Sequence, residues 1–131
     1  MIFVILCGLA LIVTAACTPQ KQRISRAELP PDVVSNAMTF VTSSPTNRLS
    51  AAACLASSFE RFIMITTNGI ISEELVISLL GKPNYENCVL PKSLEYEAYR
   101  KNPGPQSPSQ LLVFEFHQDS LVKAGTCLTE P

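Results

Sequence analysis

The stretch "ISEELVISLLGKPNY", residues 71–85, begins as a helix and ends in residues that forbid one. Ser72 is a favoured N-cap residue, and the two glutamates after it place negative charge in the first turn, where the helix dipole stabilises it. Gly81 adopts left-handed backbone conformations that Leu or Val resist, and Pro83 has no N–H with which to continue the helix. The stretch therefore predicts a short helix that stops abruptly before another element.

Three segments after this helix alternate apolar and polar residues with the period of a β-strand. They are residues 93–100, 110–118 and 121–128. In the first segment Leu94, Tyr96 and Ala98 fall on one face and Tyr99 on the other. The first two are joined by the proline-rich loop "KNPGPQSPS", which is too long for a tight hairpin. The pattern predicts a three-stranded antiparallel meander that the helix covers.

A second helix is predicted before this region. The stretch "RLSAAACLASSFERFIMITTNG", residues 48–69, places Leu55, Phe59 and Ile63 at helical spacing. Its second half is rich enough in β-branched residues that a strand is the alternative there. Residues 32–42 are also compatible with a short helix. The order of elements predicts an α+β fold, a two-layer sandwich of two helices packed on the three-stranded meander.

The first sixteen residues, "MIFVILCGLALIVTAA", contain no charge and are almost wholly apolar. They suit the core of a signal peptide and are shorter than a membrane span of ~20 residues. The following Val13-Thr14-Ala15-Ala16-Cys17 resembles a bacterial lipobox, which implies cleavage before Cys17 and its lipidation. Thr18 resembles an outer-membrane sorting residue of Gram-negative lipoproteins. The alternative is an uncleaved N-terminal membrane anchor.

These observations predict three consecutive regions. Residues 1–16 are a lipoprotein signal peptide, residues 17–31 are the lipidated cysteine and a flexible tether, and residues 32–131 are a periplasmic α+β domain with its core at about 48–128. We expect the chain to be lipid-anchored in the outer membrane and to face the periplasm. Several acyl chains together anchor a protein far more firmly than one chain does.

The composition argues against nucleic-acid binding and against catalysis. A net charge of −1 and a pI of about 5.8 provide no basic field for nucleic acid. His117 is the only histidine, and no nucleophile is paired with it in the sequence. Glu95 and Glu97 fit a solvated strand face better than a catalytic carboxylate pair. No phosphate loop or metal-spaced Cys/His set occurs, so we expect a non-enzyme without metal or cofactor.

The order of these pieces resembles the SmpA/OmlA (BamE-like) family of small outer-membrane lipoproteins. The resemblance covers roughly residues 55–125 and rests on Ile71-Ser72 at the helix start, Leu80-Gly81-Lys82-Pro83 at its end and the aromatic strands that follow. Gly69 stands one residue earlier than in the family pattern. The resemblance implies a non-catalytic envelope lipoprotein that binds other envelope proteins.

Two interaction hypotheses follow. In the first, the chain is an envelope-assembly or protein-interaction module whose exposed aromatics, Tyr85 and Tyr99, contact a partner. These two tyrosines are as well explained by simple coverage of the sheet. In the alternative, the chain is a periplasmic inhibitor or immunity-type lipoprotein that blocks an enzyme or toxin with the loop "KNPGPQSPSQ".

Cys54, Cys88 and Cys127 would remain in a periplasmic domain, and three thiols permit one intramolecular disulfide. In the predicted fold, the start of the first helix and the loop after the second helix share one edge of the sheet. This arrangement favours a Cys54–Cys88 disulfide, and a Cys88–Cys127 disulfide is the alternative if that loop crosses the sheet.

Overall fold

The computed structural model describes residues 22–66, 68–89, 91–100 and 109–129. The predicted signal peptide, Cys17 and residues 101–108 of the proline-rich loop lie outside these ranges. The described part is α+β, as predicted, and contains three α-helices, a four-stranded antiparallel sheet and a two-stranded parallel sheet. The prediction of only two helices on only three strands is therefore wrong.

The elements are, in chain order, β1 (Gln22–Arg23), α1 (Pro31–Thr42), α2 (Arg48–Ile65), β2 (Gly69–Ile70), α3 (Glu73–Leu80), β3 (Tyr85–Asn87), β4 (Lys92–Arg100), β5 (Ser109–His117) and β6 (Ser120–Thr129). The large sheet has the order β3-β4-β5-β6 with antiparallel neighbours, and β1 pairs in parallel with β2. All of α2 is helical, so the strand alternative for its second half is wrong. Within the described ranges, no helix combines the length and apolarity that crossing a membrane requires.

The predicted end of α3 is confirmed and is bonded to the sheet. Ser72 caps the helix by accepting a hydrogen bond from the Leu75 N–H at 3.2 Å. Gly81 has φ 83° and ψ −169°, a region almost restricted to glycine, and its N–H donates to the Ile77 carbonyl at 2.7 Å. The Gly81 carbonyl accepts a hydrogen bond from the Tyr96 hydroxyl at 2.8 Å. The helix therefore ends where β4 can hold its last turn.

The predicted alternation of the strands is confirmed by burial on the face that the helices cover. The Phe114 ring lies at the centre of this layer and makes edge-to-face contacts with Phe59 at 5.1 Å and with Tyr96 at 6.0 Å between ring centroids. The largest fully buried side chains are those of Tyr96, Phe40, Phe59, Phe114, Phe116, Leu55, Leu94, Leu112, Val33 and Val76, together with the small Ser58. All three helices contribute to this single core.

Residues 22–31, predicted as part of a flexible tether, belong to the domain. They contain β1 and a 3-10 turn at Arg26–Glu28, and Leu29 is buried in the core. Only residues 18–21 remain of the predicted tether, and they lie outside the described residues. The sequence did not reveal this because Leu29 is a single apolar residue with no periodic neighbours. The short β3 was missed because its three residues are exposed.

The outer edge of β6 is covered at two points. The Leu121 N–H donates to the Ile71 carbonyl at 2.9 Å, and the Ala124 N–H donates to the Glu60 carboxylate at 2.7 Å. Unpaired strand edges promote aggregation, so these bonds protect the first half of the strand. The second of them also fixes α2 on β6, at the edge of the sheet opposite β3.

Candidate functional site

An open groove of ≈ 560 Å³ lies at the N-terminal end of α2, where the α1–α2 loop meets β4. We call it the Tyr99 groove, and its lining residues are Ser43, Pro45, Thr46, Arg48, Asn84, Glu97, Ala98 and Tyr99. The lining mixes a proline ring and a tyrosine ring with hydroxyl, amide and charged groups. Such a mixture suits contact with another protein, because aromatic anchors beside hydrogen-bonding groups are typical of interfaces.

The walls of the Tyr99 groove are held together by hydrogen bonds to one residue of β4. Arg48 Nε donates to the Glu97 carbonyl at 3.0 Å, and the Arg48 guanidinium lies 4.3 Å from the centre of the Phe40 ring. The Asn84 side-chain oxygen accepts a hydrogen bond from the Glu97 N–H at 2.8 Å. The α2 start and the α3–β3 connection are therefore both fixed to the backbone of the same β4 residue.

A β-bulge turns Tyr99 towards the helices. Tyr96 pairs with Leu112 and Tyr99 pairs with Gln110, with a shift of register between Glu97 and Tyr99. Leu112 and Gln110 are two apart on β5 and so lie on one face of the sheet. Tyr96 and Tyr99 therefore share the helix-covered face, and the prediction that they lie on opposite faces is wrong. The alternation was interrupted by one extra residue, which a bulge inserts without an unambiguous sequence signal.

The structure does not bring the two predicted contact tyrosines together. Tyr85 pairs with Glu95, which alternates with buried Tyr96 and so lies on the sheet face away from the helices. Tyr85 and Tyr99 are 46% and 42% exposed. Glu95 and Glu97 lie on the outer face with Tyr85 and are half-buried, whereas the sequence predicted a solvated strand face. Tyr99 lines the Tyr99 groove, and Tyr85 is not one of its lining residues.

The three cysteines in the described residues are free and exposed. Cys88 follows the edge strand β3 and Cys127 lies on β6 at the other edge, three strand spacings or ~14 Å away, which exceeds the span of a disulfide. Cys54 is on α2, which packs on β6, so Cys54 and Cys88 do not share a sheet edge as predicted. Partial burial, with Glu95 and Glu115 nearby, raises the pKa of the Cys127 thiol and makes it less reactive.

Three features of the sequence analysis remain: His117, the expected absence of a metal site and the proline-rich loop. His117 is exposed at the last position of β5, where it pairs with Ser120 across the hairpin. No group of three or more His, Cys, Asp or Glu side chains in the described part of the chain is placed to hold a metal ion. The loop that the inhibitor hypothesis uses spans residues 101–110. Residues 101–108 lie outside the described residues, and Ser109 and Gln110 begin β5.

The described chain begins beside the C-terminal end of α2, on the side away from the Tyr99 groove. A polar network holds the first residues on the domain. The Arg23 guanidinium binds the Asp119 carboxylate at 2.8 Å, and the other carboxylate oxygen of Asp119 accepts the Glu73 N–H at 3.2 Å. Gln118 and Asp119 have positive φ angles of 49° and 63°, as the two central residues of a type I′ hairpin require. Sequence analysis missed this network because its members are up to 96 residues apart.

Gly69 makes room for the segment that begins the domain. The Ile24 N–H donates to the Ile70 carbonyl at 2.8 Å, which continues the β1–β2 pairing. A Cβ on Gly69 would lie 2.5 Å from Ile24 Cδ1 and 3.0 Å from Thr66 Cγ2. The close approach of Ile24 explains why a residue without a Cβ stands at position 69. We give the name Gln22 end to Gln22–Ile24, the last turn of α2, β2, the β5–β6 turn and the first residues of β6 as far as Val122.

A scan against models of protein families, a search of curated proteins and a search of solved structures each found no match to this chain.

Proposed function

We propose that this chain is a non-catalytic outer-membrane lipoprotein whose periplasmic domain binds another envelope protein through the Tyr99 groove. The observation that carries the proposal is the position of the groove. It lies at the start of α2, whereas the chain enters the domain at Gln22, beside the end of α2. An 18-residue helix is ~27 Å long, so the groove is held well away from the chain's point of attachment.

Support for the lipid anchor comes from the first seventeen residues, whose apolar run and Cys17 resemble a lipoprotein signal. The resemblance to the SmpA/OmlA family points the same way, because its members are small envelope lipoproteins that bind proteins. Residues 22–31 are packed on the domain, which leaves a short link to Cys17. A lipid at that position would therefore hold the domain near the membrane without spanning it.

The chemistry of the groove supports a protein partner. Tyr99 exposes part of its ring and Pro45 lines the same groove, and such rigid apolar groups are efficient contact residues because they lose little conformational entropy on binding. The Arg48 head group is already bonded to the Glu97 carbonyl and stacked on Phe40. We therefore assign recognition to the Tyr99 ring and nearby polar groups, with Arg48 as a positioning residue.

Photo-crosslinking in intact cells tests the groove. A photoreactive phenylalanine analogue replaces Tyr99 or Thr46 in the full-length chain, and the same analogue at exposed Ser57 in the middle of α2 is the matched control. We expect a discrete protein adduct from both groove positions and none from Ser57. Equal adducts from all three positions, or no protein adduct from either groove position, would contradict the proposed binding site.

The lipid anchor needs its own measurement. Mass spectrometry of the N-terminal peptide of the purified protein should show a chain that begins at Cys17 with acyl groups attached. Cys17→Ser should lose these groups and should leave the washed membrane fraction. An N-terminal peptide that begins upstream of Cys17, or a Cys17→Ser chain that remains entirely with washed membranes, would contradict the lipoprotein assignment.

A further inference from the structure

The Gln22 end exposes three large apolar side chains. Met64 is 81% exposed, Ile65 is 73% exposed and Val122 is 48% exposed. The next residue, Thr66, lines one recess together with Gln22 and a second recess together with Val122. The end of α2 and the start of β6, which carry these apolar side chains, therefore meet at the place where the described chain begins. Single exposed apolar residues are ordinary, but a group at one end of a domain indicates a contact surface.

Two arginines near this group form ion pairs within the domain. Arg61, one turn before Ile65, forms an ion pair with Asp32 at 3.2 Å. Arg23 forms ion pairs with Asp119 at 2.8 Å and with Glu74 at 3.8 Å. Lys123, which follows Val122 on β6, is also exposed. Because the charges of both arginines are paired within the domain, the net positive charge at this surface is small. Its distinguishing feature is the exposed apolar area.

The number of residues between Cys17 and Gln22 limits how far this surface can lie from a lipid on Cys17. Gln22 is five residues after Cys17, and five fully extended residues span at most ~18 Å. Gln22 and Ile24 are bonded to Asn68 and Ile70, so the domain does not lengthen this link without breaking β1 from β2. A lipid on Cys17 would therefore keep the Gln22 end within one short link of the bilayer surface.

We infer that Met64, Ile65 and Val122 rest on the bilayer, with their side chains in the interfacial region between headgroups and acyl chains. The inference rests on the lipid anchor of the proposed function. Apolar side chains gain by leaving water, and an anchor that already holds them at the surface removes most of the entropic cost of this contact. The domain is then oriented with the Gln22 end on the membrane and the Tyr99 groove directed away from it.

A crosslinking experiment on the full-length lipidated protein tests this orientation. A diazirine-bearing amino acid replaces Met64, and the control carries it at Ser57, which is exposed on the same face of α2 two turns away. The protein is reconstituted in vesicles of phosphatidylcholine, with and without phosphatidylglycerol. We expect about tenfold more phospholipid adduct from position 64 than from position 57, in both vesicle types. Equal lipid adducts at the two positions would overturn the inference.

The same probes in intact cells separate this inference from the proposed function. A protein adduct at position 64, whether with a second copy or with another protein, would overturn the membrane contact and identify an interface instead. If lipid adducts fail at position 64 while position 99 still gives its protein adduct, only the membrane contact is wrong. If position 64 gives lipid adducts and position 99 gives no protein adduct, the membrane contact holds and the groove proposal is wrong.

Discussion

At the Gln22 end of α2 the polar side chains bond to one another and apolar side chains are exposed, whereas at the Tyr99 groove polar side chains bond to the backbone of β4. Arg23, Asp119 and the Glu73 N–H are paired within the domain, and Met64 in the last turn of α2 is exposed. At the groove, polar bonds fix the walls and an aromatic ring is presented between them. One end is therefore suited to a non-directional apolar surface such as a bilayer, and the other to a partner with defined shape and hydrogen-bonding groups.

The two ends share one core, so a substitution in that core should destabilise both at once. Phe59 is fully buried and contacts the Phe114 ring. We expect Phe59→Ala to lower the free energy of unfolding by about 3–5 kcal/mol, because it removes a large buried ring and leaves a cavity. Urea denaturation measures this change. Met64→Ala, on the exposed face of the same helix, should change stability by less than about 0.5 kcal/mol.

A pH titration tests the link between the end of α3 and β4, next to the groove. Burial, with a smaller contribution from the Glu86 charge, raises the pKa of Tyr96 from 10.0 to about 12. Below pH 10 the tyrosine is protonated in both folded and unfolded chains. Above pH 10 the unfolded chain loses this proton first, so the free energy of unfolding should fall by up to about 2–3 kcal/mol as the pH reaches 12.

Tyr96→Phe is the control for this titration. This variant should lack the part of the high-pH decline that comes from Tyr96. At neutral pH its free energy of unfolding should be lower by about 1 kcal/mol, because the Gly81 carbonyl loses the Tyr96 hydroxyl as its donor. Denaturation at a series of pH values compares the two proteins, and the difference between their curves isolates Tyr96 from other groups that titrate at high pH. Parallel curves for the two proteins would show that Tyr96 does not carry the effect.

A substitution at Gly69 separates the Gln22 end from the groove. Gly69→Ala places a Cβ against Ile24, so we expect a loss of about 1–3 kcal/mol and faster hydrogen exchange of the Ile24 amide, with unchanged exchange of the Glu97 amide at the groove. Adding Ile24→Ala removes the clashing atoms, so the double variant should lose less than the sum of the single variants. Gly125→Ala, whose Cβ would meet no atom within 4 Å, is the matched control.

The smallest expected effect is confined to the groove. Asn84→Ala removes the acceptor of the Glu97 N–H and should cost about 0.5–1.5 kcal/mol. Hydrogen exchange of the Glu97 amide should become faster while that of the Ile24 amide stays unchanged. Asn84→Asp keeps an acceptor oxygen and should retain most of the protection. Equal acceleration at both amides would mean that the two ends are not structurally independent.

Much of the fold could be predicted from local signals. The start and end of α3, the helical span of α2 and the alternation of the three long strands each depend on residues within one element. The prediction failed for β3, for the number of helices and for the extent of the domain before residue 32. Each of these depends on packing of short segments that have too few apolar residues to show a period.

The candidate site was predicted only in part. Tyr99 was predicted as a contact residue, which stays a prediction, and the bulge after Glu97 decides which face it occupies. Arg48 and Asn84 were not identified as parts of the site. Each bonds to the backbone of Glu97, which is 49 residues from Arg48 and 13 residues from Asn84. Residues 43–47 separate the two predicted helices and so indicated a loop. Their sequence gave no information about which residues this loop contacts.

The sequence by itself determined where α3 begins and ends and, apart from Tyr99, which residues of β4 face the core, because capping, backbone freedom and alternation act between near neighbours. Only the tertiary structure decided that Gly69 receives Ile24, that Asp119 joins Arg23 to the start of α3, and that Tyr99 turns into a groove. Those contacts form between residues distant in the chain. Their geometry is fixed only when the helices pack on the sheet.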